Sequence, residues 1–203
     1  MVERLGGVPL DRIRCRPALG TATVQDVIDI HAREKRLCEL IDGVLVEKVM
    51  GLPESRIGVW VGTIINNYVT SHDLGVVTGA DGTMQLYPDR VRIPDVAFTS
   101  WERIPDEEFP SMAVPLLSPD LAVEVLSEGN TQREMELRRQ DYFASGTRLV
   151  WQIDPRRNTV TVYRSLTDFQ VFREHDQLDG GEVLPGFSIK VSEFFPPQRR
   201  RTP

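Results

Sequence analysis

Residues 118–155 read SPDLAVEVLSEGNTQREMELRRQDYFASGTRLVWQIDP, two apolar runs separated by a segment rich in charged residues. The first run, LAVEVLS, is almost entirely apolar with β-branched residues, which is typical of a central strand buried on both faces. The charged segment predicts a helix that ends at Gly146 as its C-cap residue. The second run predicts a returning strand, so the stretch forms a crossover unit and indicates an α/β fold.

Shorter elements lie on both sides of this unit. Thr23 predicts the N-cap of a first helix, and Asp42-Gly43 predicts the tight turn of a hairpin. Apolar residues at helical spacing over residues 54–72 predict a second helix that packs on the core. The proline-rich residues 101–119 predict an irregular surface connection. Further β-rich runs predict additional strands at residues 75–100, 158–174 and 184–195. The strands within residues 75–100 are expected to be antiparallel.

The overall composition is that of one globular domain. The chain has 203 residues, 40% of them hydrophobic and 27% charged. No apolar run approaches the ~20 residues needed to cross a bilayer, and no secretory signal is expected, so we predict a cytoplasmic protein without a membrane partner. We expect an N-terminal extension at residues 1–20, a domain at residues 21–196 and a basic tail at residues 197–203.

The net charge of -6 counts against a nucleic-acid-binding protein, because phosphate contacts need a concentrated basic patch. Arginines nevertheless cluster late in the chain, at Arg133, Arg138, Arg139, Arg148, Arg156, Arg157, Arg199, Arg200 and Arg201. They indicate either a local patch for phosphates or a solvated helix face followed by a tail, and the sequence leaves both interpretations open.

Two carboxylates stand in apolar strand sequences. Glu124 lies in the middle of LAVEVLS, where an ionised carboxylate needs a cation, a hydrogen-bond network or a pocket. Asp95 follows Pro94, which removes a ladder hydrogen bond and marks a strand edge, a first residue or a bulge. Two such carboxylates on neighbouring strands repel each other unless they share a cation, and their hard oxygens suit Mg²⁺ or Mn²⁺. The alternative is that Asp95 caps a turn and Glu124 forms a structural ion pair with an arginine.

The predicted helix after Glu124 carries an inward-facing cation. Arg138 shares one arc of this helix with Met135 and Tyr142, at spacings of three and four residues. Phosphodiester hydrolysis uses such an arrangement, because a metal held by carboxylates activates water while the cation supports the pentacovalent phosphate. Arg138 as a simple counter-ion of Glu124 or Glu134 is the alternative, and it is equally open.

The order of four motifs resembles the Uma family, a bacterial group in the PD-(D/E)XK nuclease superfamily. The motifs are RLCELIDGVLVE, RIPDVAF, SPDLAVEVLSEGNTQREMELRRQDYFASG and RLVWQIDPRRNTVTVYR, and the resemblance covers residues 23–195. It implies a restriction-endonuclease-like core, which is a mixed β-sheet flanked by helices, and metal-dependent cleavage of DNA.

The resemblance also implies roles for individual residues. Carried over by position, Asp95 and Glu124 would be metal ligands, with the backbone carbonyl of Val125 as a third donor. Glu39, in the ELIDG motif, would assist the metal or position water.

The sequence departs from the superfamily pattern at one position. A lysine is expected two residues after Glu124, where Leu126 stands. Members of the family take the lysine from the following helix instead, and Arg138 occupies that position here. Arginine clamps phosphate well, but its very high pKa makes it a poor base for activating water.

Two main hypotheses follow. The first is a Mg²⁺- or Mn²⁺-dependent DNA endonuclease that acts as a homodimer, because an apolar surface is predicted at VVTG, TMQLY and the hairpin. The second is a catalytically weakened nuclease-fold protein that binds nucleic acid or a protein partner, for which Arg138 and the acidic charge argue. A third hypothesis is a metal-dependent phosphoesterase of small nucleotides.

Overall fold

Three α-helices, twelve strands and four short 3-10 helices occur in the part of the chain that the computed structural model describes, residues 2–104 and 111–197. The helices are α1 (Val24–Glu34), α2 (Leu52–Ser71) and α3 (Gln132–Ala144). The strands are β1 (Cys38–Ile41), β2 (Val44–Glu47), β3 (Gly75–Thr78), β4 (Met84–Tyr87), β5 (Arg90–Arg92), β6 (Val96–Ser100), β7 (Leu121–Val125), β8 (Leu149–Asp154), β9 (Thr159–Tyr163), β10 (Phe169–Arg173), β11 (Gln177–Gly180) and β12 (Leu184–Lys190).

The strands form two main sheets and a hairpin. The larger sheet has six strands in the order β10-β9-β8-β7-β6-β3, and β7 and β8 are its one parallel pair. The smaller sheet is antiparallel, in the order β2-β1-β5-β4, and β11 pairs with β12 separately. Because α3 connects the parallel strands, the predicted crossover unit and the predicted mixed α/β fold with additional antiparallel strands are confirmed.

The six-stranded sheet is covered on both faces at its centre. On one face, Val123 and Trp151 pack in the main core with Val61 and Ile65 of α2. On the other face, Ala122 and Val150 pack in a smaller cluster that includes Tyr142 of α3 and Met84 of β4. Every residue of β7 is therefore buried, as its apolar sequence predicts.

Local signals place the element ends where the sequence predicts them. The Thr23 side chain accepts a hydrogen bond from the Asp26 N–H, and the Asp26 side chain accepts one from the Thr23 N–H, which completes a capping box for α1. Asp42 and Gly43 have φ values of 49° and 72°, the positive φ values that a two-residue hairpin turn matching the twist of the strands requires. Gly146, with φ of 91°, follows the end of α3.

Two details differ from the sequence interpretation. Pro94 does not mark an edge strand, because β6 is paired on both sides, with β3 and β7. Instead, the run VRIPDVAFTS breaks at Pro94 into β5 and β6, which belong to different sheets. β11 was not predicted, because its four residues, QLDG, are short and polar and form a strand only by pairing with β12.

The outer segments of the chain also contact the fold. Leu5 and Val8 lie in the segment predicted as an N-terminal extension and pack with residues of the first hairpin. The division of the chain into extension, domain and tail stays a proposal. Within the proline-rich connection, Leu116 bridges to Gln85, whereas residues 105–110 lie outside the described residues, as do residues 198–203 of the predicted basic tail. Among the described residues, no helix has both the length and the apolar character that crossing a membrane requires.

Candidate active site

Asp95 and Glu124 line the same small cavity at the end of two neighbouring strands. In the β6–β7 pair Val96 lies opposite Val123, so Asp95, just before β6, comes next to the end of β7. Two hydrogen bonds fix it there: its N–H donates to the Val123 carbonyl over 3.0 Å, and its Oδ2 accepts from the Val125 N–H over 2.7 Å. The predicted convergence of the two carboxylates on one site agrees with this geometry.

Lys48 is a site residue that sequence reasoning missed. It directly follows β2, its Nζ lies 2.8 Å from Asp95 Oδ1, and its side chain is 7% exposed. It also donates a hydrogen bond to the Ile93 carbonyl. A signal was present, because Lys35, Lys48 and Lys190 are the chain's only lysines and only Lys48 adjoins a strand of the ELIDG hairpin. The superfamily and family patterns place the lysine close to Glu124 in the sequence, whereas the fold brings this one from another sheet.

Arg138 reaches the cavity from α3 and is itself buried. Its Nη1 lies 3.1 Å from Glu124 Oε1 and 2.8 Å from Glu39 Oε1, and its Nη2 lies 3.7 Å from Glu134 Oε1. The inward orientation predicted from helix spacing is therefore present. Arg138 is the counter-ion of three carboxylates at once, so the ion-pair alternative describes contacts that do occur.

The geometry revises the role predicted for Glu39. Its Oε2 pairs with Arg92 Nη1 at 2.8 Å, and its Oε1 accepts from the Ile93 N–H at 3.0 Å and from Arg138. It is 1% exposed and is not among the residues that line the site cavity. Glu39 therefore lies behind Arg138 and positions it, because both of its oxygens already accept hydrogen bonds and it does not reach the cavity.

The charges around Glu39 hold its pKa low. Burial alone would raise the pKa of this carboxyl, but the positive charges of Arg138, Arg92 and Lys48 outweigh burial, and the pKa falls from 4.5 to about 2. Glu39 is thus a fixed negative charge at neutral pH.

Glu124 has the opposite shift. Burial raises its pKa; Arg138 opposes this change, and the neighbouring Asp95 carboxylate adds to it. Both described contacts of Glu124 fall on Oε1, which accepts from Arg138 and, over 2.6 Å, from the Tyr142 hydroxyl. Burial and the charge of Glu124 also raise the pKa of Tyr142 well above its usual value, so Tyr142 stays a donor. Glu124 therefore keeps its second oxygen, Oε2, without a described contact beside the cavity.

Comparison with known proteins shows the family of this chain. A sequence model described as "Uma2: Putative restriction endonuclease" matches residues 24–192. The chain belongs to this family. Among solved structures, it is similar to a protein of Anabaena variabilis described as a "putative nuclease belonging to DUF820", with a TM-score of 0.70 and 24% sequence identity over 79% of this chain and 90% of that one. This likeness shows that the Uma2 chain has a nuclease-like fold. No curated protein matches it.

Restriction-endonuclease-like families such as Uma2 generally use divalent metals, and the donor set here fits one. No group of three or more His, Cys, Asp or Glu side chains suits a metal within residues 2–104 and 111–197. Two carboxylates are nevertheless enough for Mg²⁺, which keeps waters or substrate phosphate oxygens as its other ligands. The cavity volume of about 20 Å³ leaves room for one ion or water.

Both oxygens of Asp95 already have partners. Its Oδ1 is paired with Lys48 and its Oδ2 with the Val125 N–H, whereas Glu124 Oε2 is free of described contacts. The two carboxylates were expected to repel each other unless they share a cation, but each has a cation of its own, Lys48 for Asp95 and Arg138 for Glu124. A metal ion at this cavity would compete with Lys48 for Asp95.

Proposed function

We propose that this chain is a metal-dependent endonuclease that hydrolyses phosphodiester bonds in DNA. One observation carries the proposal: Asp95 and Glu124, from neighbouring strands, line one small cavity together with Lys48 and Arg138. Two acids beside two cations at a strand end are the groups that phosphodiester hydrolysis uses. Membership in a family described as "Putative restriction endonuclease" supports the same reaction.

The acidic half of the site would hold the metal. Asp95, Glu124 and the backbone carbonyl of Val125 would bind Mg²⁺ or Mn²⁺, which would supply an activated water and neutralise charge on the phosphate. The Tyr142 hydroxyl holds Glu124 through Oε1 and leaves Oε2 for a ligand. Protonation of Glu124 would remove a ligand, so the site would work only with this carboxyl ionised.

The basic half of the site would contact the phosphate. Arg138, anchored by Glu39 at 2.8 Å, presents a fixed positive charge to the cavity, where it would stabilise the pentacovalent phosphate. Lys48 orients Asp95 and, once a metal displaces it, would be free to donate a hydrogen bond to a phosphate oxygen or to the attacking water.

A plasmid-cleavage assay tests the proposal. Supercoiled DNA is incubated with the purified protein and Mg²⁺ or Mn²⁺, and nicked and linear products are measured on a gel. The wild-type protein should cleave, and Asp95→Asn should not. Asp29→Asn, on the exposed surface of α1, is the matched control and should cleave normally. The absence of cleavage with either metal at high protein concentration would overturn the proposal.

A second candidate function is a nuclease-fold module that binds nucleic acid or a protein without turnover. It is favoured by the ion pairing of both metal-binding candidates, Asp95 with Lys48 and Glu124 with Arg138. Under this alternative the wild-type protein is inactive, and Arg138→Lys, which restores the residue of the family pattern, should gain cleavage. Equal cleavage by the wild-type and Arg138→Lys proteins would exclude it.

Homodimerisation and a cytoplasmic location remain part of the proposal, but the reason for a dimer changes. Of the three runs that motivated it, the apolar side chains of the hairpin and of TMQLY are largely buried within the chain, whereas those of VVTG are half-buried on the edge strand β3. The large apolar side chains exposed on α2 are Leu52, Val59 and Trp60, at 85%, 70% and 39% exposure. Light scattering at micromolar concentration would detect a dimer, and a monomer there would refute it.

A further inference from the structure

A broad groove opens beside the candidate active site, over the outer face of β8, β9 and β10. Its volume is about 900 Å³, and α3 forms one wall. Ser127 and Asn130 line both this groove and the small site cavity. A chain-like ligand lying in this outer groove would therefore lead directly to Asp95 and Glu124.

The outer groove is basic although the whole chain is acidic. Four arginines line it, against the two acidic residues Asp154 and Glu174: Arg139, Arg156, Arg157 and Arg173. The ion pairs that two of them make, with Glu128 at 3.3 Å and with Asp154 at 3.7 Å, are exposed to water and hence weak. The Arg173 guanidinium makes no ion pair with any described residue. The arginines are thus available to phosphate groups.

An aromatic platform lies along the same face. Tyr163 of β9 lies opposite Phe169 of β10, and their ring centroids are 5.3 Å apart. The Arg139 guanidinium lies over the Tyr163 ring at 4.4 Å, and Phe169 is 55% exposed. Exposed aromatic rings beside arginines are the surfaces on which unpaired nucleic-acid bases stack, and such stacking is tolerant of sequence.

Gln152 supplies an unused donor at the floor of the groove. Its side chain is buried, with 5% exposure, and its Oε1 accepts a hydrogen bond from Arg139 at 3.1 Å. Its Nε2 has no hydrogen-bond partner among the described residues. A buried N–H without a partner is unfavourable, so a ligand oxygen in the groove would satisfy it.

We propose that the outer groove binds an unpaired stretch of a DNA strand. Its phosphates would contact the groove arginines, a base would stack on Phe169 and Tyr163, and the strand would enter the active site past Ser127 and Asn130. Its role in feeding a cleavage site rests on the proposed endonuclease function. In a duplex the base faces are stacked on each other, so the exposed Phe169 ring favours a single strand as the occupant.

Fluorescence anisotropy with a labelled oligodeoxythymidylate of ~20 nucleotides, enough to span the site of one domain, tests this directly. The titration is done in EDTA, so that binding is measured without cleavage, and is repeated with the same strand annealed to its complement. The single strand should bind more tightly than the duplex. Phe169→Ala should weaken single-strand binding by about tenfold, since each base–aromatic stack contributes that order of affinity.

Arg173→Ala should weaken single-strand binding several-fold and reduce the slope of log affinity against log salt by about one. Arg33→Ala, an exposed arginine on α1, is the matched control and should leave binding unchanged. Phe169 and Arg173 are exposed, and thermal melting checks that their variants remain folded.

Equal affinity for strand and duplex, no binding of either, or unchanged binding by Phe169→Ala and Arg173→Ala would overturn the inference. If those variants bind normally while the wild-type protein cleaves plasmid, only the groove assignment fails. Selective strand binding without any cleavage would support the groove and remove the endonuclease function.

Discussion

Glu39 and Glu124 are two buried glutamates that contact the same guanidinium, yet their environments shift their pKa values in opposite directions. Glu39 is surrounded by Arg92, Arg138 and Lys48 and accepts a backbone hydrogen bond, which brings its pKa to about 2. Glu124 shares Arg138 but lies beside Asp95, and burial raises its pKa. A carboxylate whose contacts are complete supports the fold, whereas one left undercompensated at a cavity is available to a ligand.

Cleavage should distinguish the two glutamates most strongly. We expect Glu124→Gln to lower DNA cleavage on the order of 10³-fold, because it removes a metal ligand and with it several kcal/mol of transition-state stabilisation. Its stability should change by no more than about 1 kcal/mol, since glutamine keeps the shape of a group whose ionisation burial disfavours. Initial rates of plasmid nicking measure the effect. Exposed Glu182→Gln is the control, and nicking by Glu124→Gln at the control rate would contradict the assignment.

The free energy of unfolding should distinguish the two glutamates in the opposite sense, with the larger effect at Glu39. Glu39→Gln removes the common partner of Arg92 and Arg138, both buried, and should lower the free energy of unfolding by about 3–5 kcal/mol. Urea unfolding followed by fluorescence measures the loss, with Glu124→Gln as the matched comparison. Equal stability of the two variants would show that the two glutamates do not differ in their structural role.

Replacing Lys48 tests one of the two cations of the site. We expect Lys48→Met to reduce cleavage about 10²-fold, the usual effect of removing one charged group that stabilises a transition state. Because Asp95 then loses its counter-ion, the folded fraction is measured alongside. The same variant should bind Mn²⁺ more tightly, since no lysine competes for Asp95. Lys190→Met serves as the exposed control, and weaker Mn²⁺ binding by Lys48→Met would argue against competition at this cavity.

The pH profile should show the smallest effect, about a tenfold loss of cleavage per pH unit once Glu124 protonates. Its pKa in the folded chain lies above the ordinary value of 4.5, so activity should fall at a higher pH than for an ordinary glutamate. Protonation of Glu124 stabilises the fold as pH falls through this raised pKa. Glu39 stabilises the fold above its ordinary pKa of 4.5, and this stabilisation is lost as pH falls toward about 2.

Cleavage should therefore disappear on acidification before the protein unfolds. Initial rates and thermal melting over the same pH series check the order of the two events. If cleavage and folded structure are lost at the same pH, protonation of Glu124 is not what ends cleavage on the acidic side of the pH profile.

Much of the candidate site could be predicted from the sequence, though not its electrostatics. Asp95 and Glu124 could be predicted because each places a charge in a strand sequence that is otherwise apolar. The inward orientation of Arg138 could be predicted from its spacing to Met135 and Tyr142 on the helix. Lys48 was not predicted because its place next to the ELIDG hairpin does not by itself show that it contacts Asp95. Its contact exists only because the break at Pro94 sends β5 and β6 into different sheets and brings the end of β2 against the start of β6.

The sequence by itself determined the helices, the hairpin turn and the crossover unit, because capping, positive-φ turns and apolar periodicity act between residues that are close in the chain. Only the tertiary structure decided which cation pairs with which carboxylate. Arg138 and Glu39 are 99 residues apart in the chain. Their contact depends on packing two sheets and α3 together, and this packing makes one glutamate structural and leaves the other facing a cavity.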